Sequence, residues 1–288
     1  MRKAAIGWLA VPILLAAVAL SRGSSAAPPP YREQTLRSAV LAEDRRFLVR
    51  LPRHYELDAD ARYPVLYKLD GDNQLDRYDE SIDVLHSAGV MPDLIVVAIP
   101  NAPGQRNRDL TPPTLHQDSE RGETGQGPMG AGDRFLEFIE RELIPHVDKT
   151  LRTTPERIFA GHSRGALLVL HSLLAKPGLF DARLVFSAPL MRDEQRLVVE
   201  TRKFLAEHPD HRSFLYLNWG ERENETMEQS CRAMSELLKS GAPAGLRWAI
   251  ERAHAADHQQ THGLALPSAL FTLYSGSRAS PPPARPGQ

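Results

Sequence analysis

Short apolar runs that alternate with longer amphipathic runs are the feature that most constrains the fold of this chain. Residues 93–100, DLIVVAIP, are rich in β-branched side chains and lack polar alternation, which predicts a strand buried on both faces. Residues 133–151 instead carry apolar side chains at helical spacing. Strands that alternate with helices predict a mostly parallel sheet with helices on both faces, an α/β fold whose active residues lie at the carboxyl ends of strands.

The other predicted elements follow the same alternation. Further strands are predicted at residues 34–41, 45–52, 63–71, 157–161, 182–188, 213–220 and 245–251. Further helices are predicted after residue 165, at residues 194–207 and 225–240, and in a last segment that ends near Tyr274. Because no internal repeat is evident, we expect one folded domain over residues 34–275.

Both ends of the 288-residue chain differ in composition from this domain. Arg2 and Lys3 precede an uncharged apolar run at 4–20, and small residues follow at 21–27, which is the pattern of a cleavable signal peptide. The alternative is a retained membrane anchor, but the run is at the lower edge of spanning length and Pro12 interrupts it. We therefore expect a signal peptide at residues 1–26, a proline-rich linker at 27–33 and a disordered proline-rich tail at 276–288.

The composition limits the kinds of partner that the protein can bind and the cellular compartment in which it is expected. The net charge is −1 and no basic stripe is interleaved with aromatic residues, which argues against a nucleic-acid partner. The single cysteine, Cys231, forms no internal disulfide, which is compatible with a periplasmic or secreted protein that leaves the membrane once its signal is cleaved. No metal-ligand cluster or phosphate-binding glycine loop is present, so we expect no cofactor and no metal. The sequence assigns no oligomeric state.

The stretch Gly161-His162-Ser163-Arg164-Gly165 lies between a predicted strand and a predicted helix. A nucleophile elbow has this G-x-S-x-G pattern in this context, because the glycines let strand and helix approach while the serine hydroxyl is left exposed at the turn. The alternative is a glycine-rich turn with a capping serine. The sequence favours the elbow, with Ser163 as the nucleophile.

A serine nucleophile needs a base and an acid that orients the base. In hydrolases with this elbow, the chain order is serine, acid, histidine. Candidate acids follow the strand at 213–220, and candidate histidines follow the strand at 245–251: Glu221, Glu223, Glu225, His254, His258 and His262. Order and position alone leave the choice within each cluster open.

Four stretches carry a family resemblance: YPVLYKLDGD, IVVAIPNAPGQRNRDLTP, FLEFIERELIPHVDKTLRTTPERIFAGHSRGALL and the closing helix. On these stretches, which span about residues 34–274, the chain resembles the esterase family of α/β-hydrolases that includes esterase D, enterochelin esterases and feruloyl esterases. The loop at residues 106–112 is similar to an R-x-R-D-L-T-P loop of the enterochelin-esterase-like branch. The resemblance implies an α/β-hydrolase fold and hydrolysis of a carboxylic ester in a small molecule.

The resemblance also implies roles for particular residues. The family acid commonly stands three residues after the glycine that ends its strand, which is Glu223, and the family histidine stands about sixteen residues before the last helical aromatic, which is His258. The backbone N–H groups of Arg164 and Asp72 are then expected to form the oxyanion hole. Arg106 and the side chain of Arg164 are candidates for substrate binding.

One departure from the family pattern and one long polar loop bear on the substrate. Many siderophore-esterase-like members carry tryptophans where this chain has residues 187–191, SAPLM, so an aromatic platform for catecholates is not expected. Arg106 and its neighbours Arg108 and Asp109 lie on a long polar loop at residues 101–130, where an internal Arg108–Asp109 ion pair is expected.

The sequence thus predicts an exported serine carboxylesterase that works through an acyl-enzyme on Ser163. The alternatives are a periplasmic esterase of ferric-siderophore trilactones and a catalytically silent binding protein on a hydrolase scaffold. Acyl transfer to an alcohol would use the same residues.

Overall fold

The computed structural model describes residues 31–115 and 129–276. Its strands are β1 (Arg32–Ser38), β2 (Glu43–Arg50), β3 (Tyr63–Leu69), β4 (Ile95–Ile99), β5 (Thr153–His162), β6 (Ala182–Phe186), β7 (Ser213–Gly220) and β8 (Leu246–Ala253). Its helices are α1 (Leu75–Ser87), α2 (Arg106–Leu110), α3 (Gly132–Phe138), α4 (Ile144–Thr150), α5 (Arg164–Ala175), α6 (Arg192–Glu207), α7 (Glu225–Gly241) and α8 (Thr261–Ser275). A π-helical turn at Ile139–Leu143 joins α3 to α4.

The eight strands form one sheet in the order β1-β2-β4-β3-β5-β6-β7-β8. The pairs β1–β2 and β2–β4 are antiparallel, and every later pair in this order is parallel. The predicted mostly parallel sheet is therefore confirmed. All parallel strands from β3 to β8 present their carboxyl ends at the same edge of the sheet, where active residues are expected.

Two apolar cores explain why the central strands lack polar alternation. Successive residues of β4, such as Val96 and Val97, enter opposite cores because side chains alternate across a strand. Helices α3, α5, α6 and α7 contribute to the core on one face, and α1 and α8 contribute to the core on the other. Helices thus cover both faces, as the sequence predicted.

Some elements differ from the sequence prediction. Helix α1 was not predicted, because two of its buried residues, Asp79 and Ser81, are polar and interrupt the apolar periodicity of the sequence. Asp79 is buried with partners: it accepts a hydrogen bond from Tyr31 Oη at 3.0 Å and pairs with Arg50 Nε at 3.0 Å. Strand β1 begins at Arg32, inside the predicted linker.

The predicted signal peptide and nearly all of the predicted tail lie outside the described residues. Within residues 31–115 and 129–276, none of the helices combines the length and the apolar character needed to span a bilayer.

A buried ion network anchors α2 beside the sheet. Asp109 is fully buried and accepts from Arg45 Nη1 at 2.7 Å and from Arg108 Nε at 2.6 Å. Glu43 on β2 pairs with both arginines. The structure thus contains the expected Arg108–Asp109 pair, and this network holds Arg106, at the start of α2, near the carboxyl edge of β3.

Candidate active site

Ser163 occupies the turn between β5 and α5 with φ of 54° and ψ of −122°. A non-glycine residue rarely adopts a positive φ, so the surrounding structure must hold this conformation. A Cβ atom at Gly161 would lie 2.7 Å from the carbonyl carbon of Gly165. Only glycine at position 161 allows this approach of strand and helix, and the geometry is that of a nucleophile elbow.

His258 lies beside Ser163, in the loop between β8 and α8. Its Nε2 is 2.9 Å from Ser163 Oγ, within hydrogen-bond distance. Its carbonyl oxygen accepts from His162 Nε2 at 2.6 Å and from Thr261 Oγ1 at 2.8 Å. The backbone of this loop is therefore tied both to the elbow and to the start of α8.

The other two candidate histidines occupy different places. The side chain of His254 is 91% exposed, and its Nδ1 is 2.8 Å from Glu221 Oε2. His262 is buried and stacks on His162 with 4.5 Å between ring centroids. Of the three candidates, the structure places His258 within hydrogen-bond distance of the Ser163 hydroxyl.

Glu223 is the candidate acid that approaches His258. Its side chain is 2% exposed, and its Oε1 is 3.5 Å from His258 Nδ1. Glu221 pairs instead with Arg252 and His254, and Glu225 accepts from Gln229 on α7.

The environment of Glu223 favours its charged form. Burial raises the pKa of the Glu223 carboxyl, but the adjacent imidazole of His258 and the hydrogen bond from Ser187 outweigh burial and lower this pKa below its ordinary value. Glu223 is therefore a buried carboxylate at neutral pH.

Ser187 stands between this carboxylate and His258, a position that the sequence analysis did not assign. It follows β6 and is fully buried. Its Oγ is 3.0 Å from His258 Nδ1 and donates to Glu223 Oε1. The sequence feature that indicates Ser187 is its position directly after a buried strand, because active residues lie at that edge of the sheet.

The turn after β3 contains Asp72, whose amide is the other expected oxyanion donor. A Cβ atom at Gly71 would lie 2.5 Å from the backbone nitrogen of Ile99, so the turn packs directly on β4. The amides of Gly71 and Asn73, on either side of Asp72, donate to Ile99 O at 2.9 Å and Asp70 O at 3.0 Å. Both flanking amides are therefore engaged, and the oxyanion role of the Asp72 amide stays a prediction. The Arg164 amide lies at the first residue of α5.

The side chain of Lys68 binds carbonyl groups at the same turn, a role that was also not assigned from the sequence. It is buried, and its Nζ donates to Asp70 O at 2.8 Å and to Leu69 O at 3.2 Å. Burial lowers the pKa of Lys68 to about 8.

The two candidate substrate-binding arginines differ in where they point. Arg106 lines the cavity, and its Nε and Nη2 donate to the two carboxylate oxygens of Asp70 at 2.7 and 3.0 Å. The Arg164 side chain departs from the expectation: it is buried, and its Nη1 donates to Thr111 Oγ1 at 2.9 Å. Because the first turn of α5 packs against the loop that contains Thr111, this guanidinium does not line the cavity.

The cavity over Ser163 has a volume of about 360 Å³ and a largely polar lining. Burial, with smaller contributions from nearby charges, lowers the pKa of His162 to about 3 and that of His262 to about 4, so both rings are neutral at pH 7. The lining comprises Lys68, Leu69, Asp70, Asn73, Tyr78, Arg106, Gly161, His162, Ser163, His258, Gln259 and His262. Across the described ranges, no group of three His, Cys, Asp or Glu side chains is arranged to hold a metal ion.

The low pKa of His162 predicts a specific dependence of stability on pH. Between about pH 6.5 and pH 3, the unfolded chain binds a proton at His162 that the folded chain does not bind, so acidification favours unfolding in this window. Gln at this position removes the proton uptake, and its amide is still able to donate a hydrogen bond. From about pH 7 to about pH 4.5, we expect the free energy of unfolding to fall more steeply in the wild type than in His162→Gln, as measured by urea denaturation.

The exposed His54 supplies a matched control, because His54→Gln removes an imidazole that solvent reaches in both states. His54→Gln should therefore follow the wild-type slope. Parallel slopes for wild type and His162→Gln would contradict the buried, neutral state of His162.

Comparison with known proteins identifies the family of the chain. The family model described as "Putative esterase" matches residues 38–259. The chain is 32% identical over 150 residues to a siderophore enterobactin esterase of Emericella nidulans, covering 47% of each chain. It is 31% identical over 159 residues to the ferri-bacillibactin esterase BesA of Bacillus subtilis, covering 51% of this chain and 54% of that one. The chain thus spans about half the length of the curated relatives it matches.

A solved structure extends the likeness over more of the chain. The IroE-like serine hydrolase of Shewanella oneidensis superimposes with a TM-score of 0.76 and 27% identity, covering 85% of this chain and 80% of that one. The family resemblance and the α/β-hydrolase fold expected from the sequence are both confirmed. The chain belongs to the esterase family whose family model matches residues 38–259.

Proposed function

We propose that the protein is an exported serine carboxylesterase that hydrolyses a carboxylic ester through an acyl-enzyme on Ser163. The observation that carries the proposal is the 2.9 Å contact between His258 Nε2 and the hydroxyl of Ser163, whose backbone is held at the elbow. A nucleophile and a base within hydrogen-bond distance are the minimum that acyl transfer requires.

In the first half of the reaction, Ser163 Oγ attacks the ester carbonyl carbon while His258 Nε2 takes the serine proton. Negative charge develops on the former carbonyl oxygen, where the amides of Arg164 and Asp72 donate to it. The tetrahedral intermediate then collapses: the bond to the alcohol oxygen breaks, and His258 returns the proton to that oxygen. The products of this half are a free alcohol and an acyl-Ser163 ester.

In the second half, water replaces the alcohol. His258 Nε2 takes a proton from water as the water oxygen attacks the acyl carbonyl, and then gives the proton to Ser163 Oγ as the acyl bond breaks. Glu223, buried and ionised, stabilises the imidazolium that forms in each half. The polar cavity over Ser163 offers room for the acyl or alcohol part of a small ester.

A ferric-siderophore trilactone is the substrate class that we favour within this chemistry. The two curated relatives are named as esterases of enterobactin and ferri-bacillibactin. In this chain, Arg106 places a half-buried cation at the cavity, which suits an anionic iron complex. The segment after β6 carries no tryptophan, so recognition by charge rather than by aromatic stacking is the form of binding that this chain supports.

Export is supported by the sequence alone, since residues 1–26 lie outside the described part. Their charged start, apolar run and small residues have the pattern of a signal that is cleaved on translocation.

The nucleophile and the base are tested by substitution. Against a short-chain p-nitrophenyl ester, we expect Ser163→Ala and His258→Ala each to fold and to lose roughly 10³-fold or more of kcat, because each removes a group that takes part in bond making. His254→Ala is the control, since that exposed ring pairs with Glu221, and its kcat should stay within about twofold of wild type. An inactive wild type would favour the binding-protein alternative, and an active Ser163→Ala would refute the elbow assignment.

The substrate class is tested by the charge on Arg106. We expect Arg106→Gln to lower kcat/KM for a ferric catecholate trilactone more than for a neutral p-nitrophenyl ester, and to reduce the salt dependence of the trilactone reaction, because a cation attracts an anionic substrate. Arg141 is exposed and is not among the residues that line the cavity, so Arg141→Gln should leave both reactions unchanged. Equal losses on the two esters at low and high salt would show that Arg106 only holds Asp70, and would remove the support for an anionic substrate.

A further inference from the structure

Ser187 is fully buried, and its hydroxyl contacts both the candidate acid Glu223 and the candidate base His258. Direct contact between Glu223 Oε1 and His258 Nδ1 spans 3.5 Å, beyond the usual range of an N–H···O hydrogen bond. The path through Ser187 is shorter at each step: Oγ is 3.0 Å from Nδ1, and the hydroxyl donates to Glu223 Oε1. The serine hydroxyl thus lies where a direct acid–histidine bond would otherwise form.

The protonation states follow from what each atom can do. To accept the Ser163 proton, His258 Nε2 must be unprotonated, so the hydrogen of the neutral ring is on Nδ1. Nδ1–H then donates to Ser187 Oγ, because the hydroxyl hydrogen of Ser187 is already directed at Glu223. Donors and acceptors therefore match along the series Ser163, His258, Ser187 and Glu223, and such a chain polarises each of its members.

The backbone around Ser187 holds the hydroxyl in place. Ser187 has a φ of 52°, a left-handed conformation that a serine adopts only when its surroundings impose it. Its N–H is 3.0 Å from Asn218 O and 3.2 Å from Asn218 Oδ1. Asn218 is a buried residue of β7, the strand that ends at Gly220, just before Glu223. The acid and the intervening serine are thus positioned by the same strand.

We propose that Ser187 is a positioning residue that couples Glu223 to His258, so that the charge of the carboxylate acts on the imidazole through the serine hydroxyl. The inference rests on the proposed function, because it concerns the base of that reaction. No proton needs to pass along the series: the proton from Ser163 stays on Nε2 until it reaches the leaving group, and Ser187 and Glu223 keep their protonation states. Ser187 acts by fixing the tautomer and stabilising the imidazolium.

The test compares kcat/KM across pH in wild type, Ser187→Ala and Ser187→Gly, with a short-chain p-nitrophenyl ester. Both variants remove the hydroxyl, and glycine accepts the left-handed backbone without strain, so Ser187→Gly remains informative if Ser187→Ala folds poorly. We expect kcat to fall roughly 10- to 100-fold with little change in KM, because each variant removes one hydrogen bond to a charged group, and losing such a bond slows a reaction by about this factor. The acid limb of the pH profile should move to lower pH, because the imidazolium loses a hydrogen-bond acceptor that stabilises its charge.

A double-mutant cycle separates coupling from a merely structural role. If Ser187 acts through Glu223, Ser187→Ala combined with Glu223→Gln should be no slower than the slower of the two single variants, since both break the same series. Ser230 is another fully buried serine, and its hydroxyl donates to the backbone carbonyl of Met227, so Ser230→Ala controls for the loss of a buried hydroxyl and should keep the wild-type profile.

The outcomes distinguish this inference from the proposed function. An active wild type with an unchanged acid limb and unchanged kcat in both Ser187 variants overturns the coupling and leaves the esterase intact. Multiplicative losses in the double variant also overturn it. An inactive wild type overturns the proposed function itself.

Discussion

The approach of β5 to α5 at Gly161 is the constraint on which the rest of the site depends. Because a side chain at this position would collide with the backbone of Gly165, strand and helix meet through glycine alone, and the chain turns between them with Ser163 at a positive φ. This turn sets the direction of the Ser163 hydroxyl. His258 contacts that hydroxyl directly, and Ser187 and Glu223 contact His258, all from the carboxyl edge of the same sheet.

Buried polar contacts hold the site in one arrangement before any substrate binds. Asp70 is held by Arg106 and Asn101, and although burial raises its pKa, these hydrogen bonds lower it below its ordinary value. Lys68 fixes the carbonyl groups of the turn that carries Asp72. Since an unpaired buried polar group is strongly unfavourable, these contacts favour a single geometry, and a preorganised polar site stabilises developing charge without reorganising during the reaction.

Much of the fold was predictable from the sequence because buried parallel strands and amphipathic helices have distinct residue patterns. Residues 213–220 were predicted as a strand and are β7 with the same bounds. Helix α1 was missed because its buried face includes the paired Asp79, which periodicity counts as a surface residue.

The sequence predicted which clusters of residues supply the nucleophile, the acid and the base. It was less able to predict which member of each cluster makes the contacts. The elbow pattern indicated Ser163, whereas choosing His258 and Glu223 within their clusters required the family resemblance. Ser187 could not be assigned, because its role arises where separate strands meet in space: β6 places it beside β7. Lys68 could not be assigned, because its contacts depend on how the turn after β3 directs its carbonyl groups toward the Lys68 side chain. The direction of the Arg164 side chain could not be predicted from the sequence either, since it depends on the packing of α5 against Thr111.

The central claim is that the elbow presents Ser163 as an activated nucleophile next to His258. It is tested most directly by incubating the wild-type protein with diisopropyl fluorophosphate and locating the adduct by peptide mass spectrometry. The account predicts a single phosphoryl adduct on Ser163, formed in parallel with the loss of ester hydrolysis. An unlabelled Ser163 in a folded protein, or loss of hydrolysis that follows modification of a different residue, would contradict it.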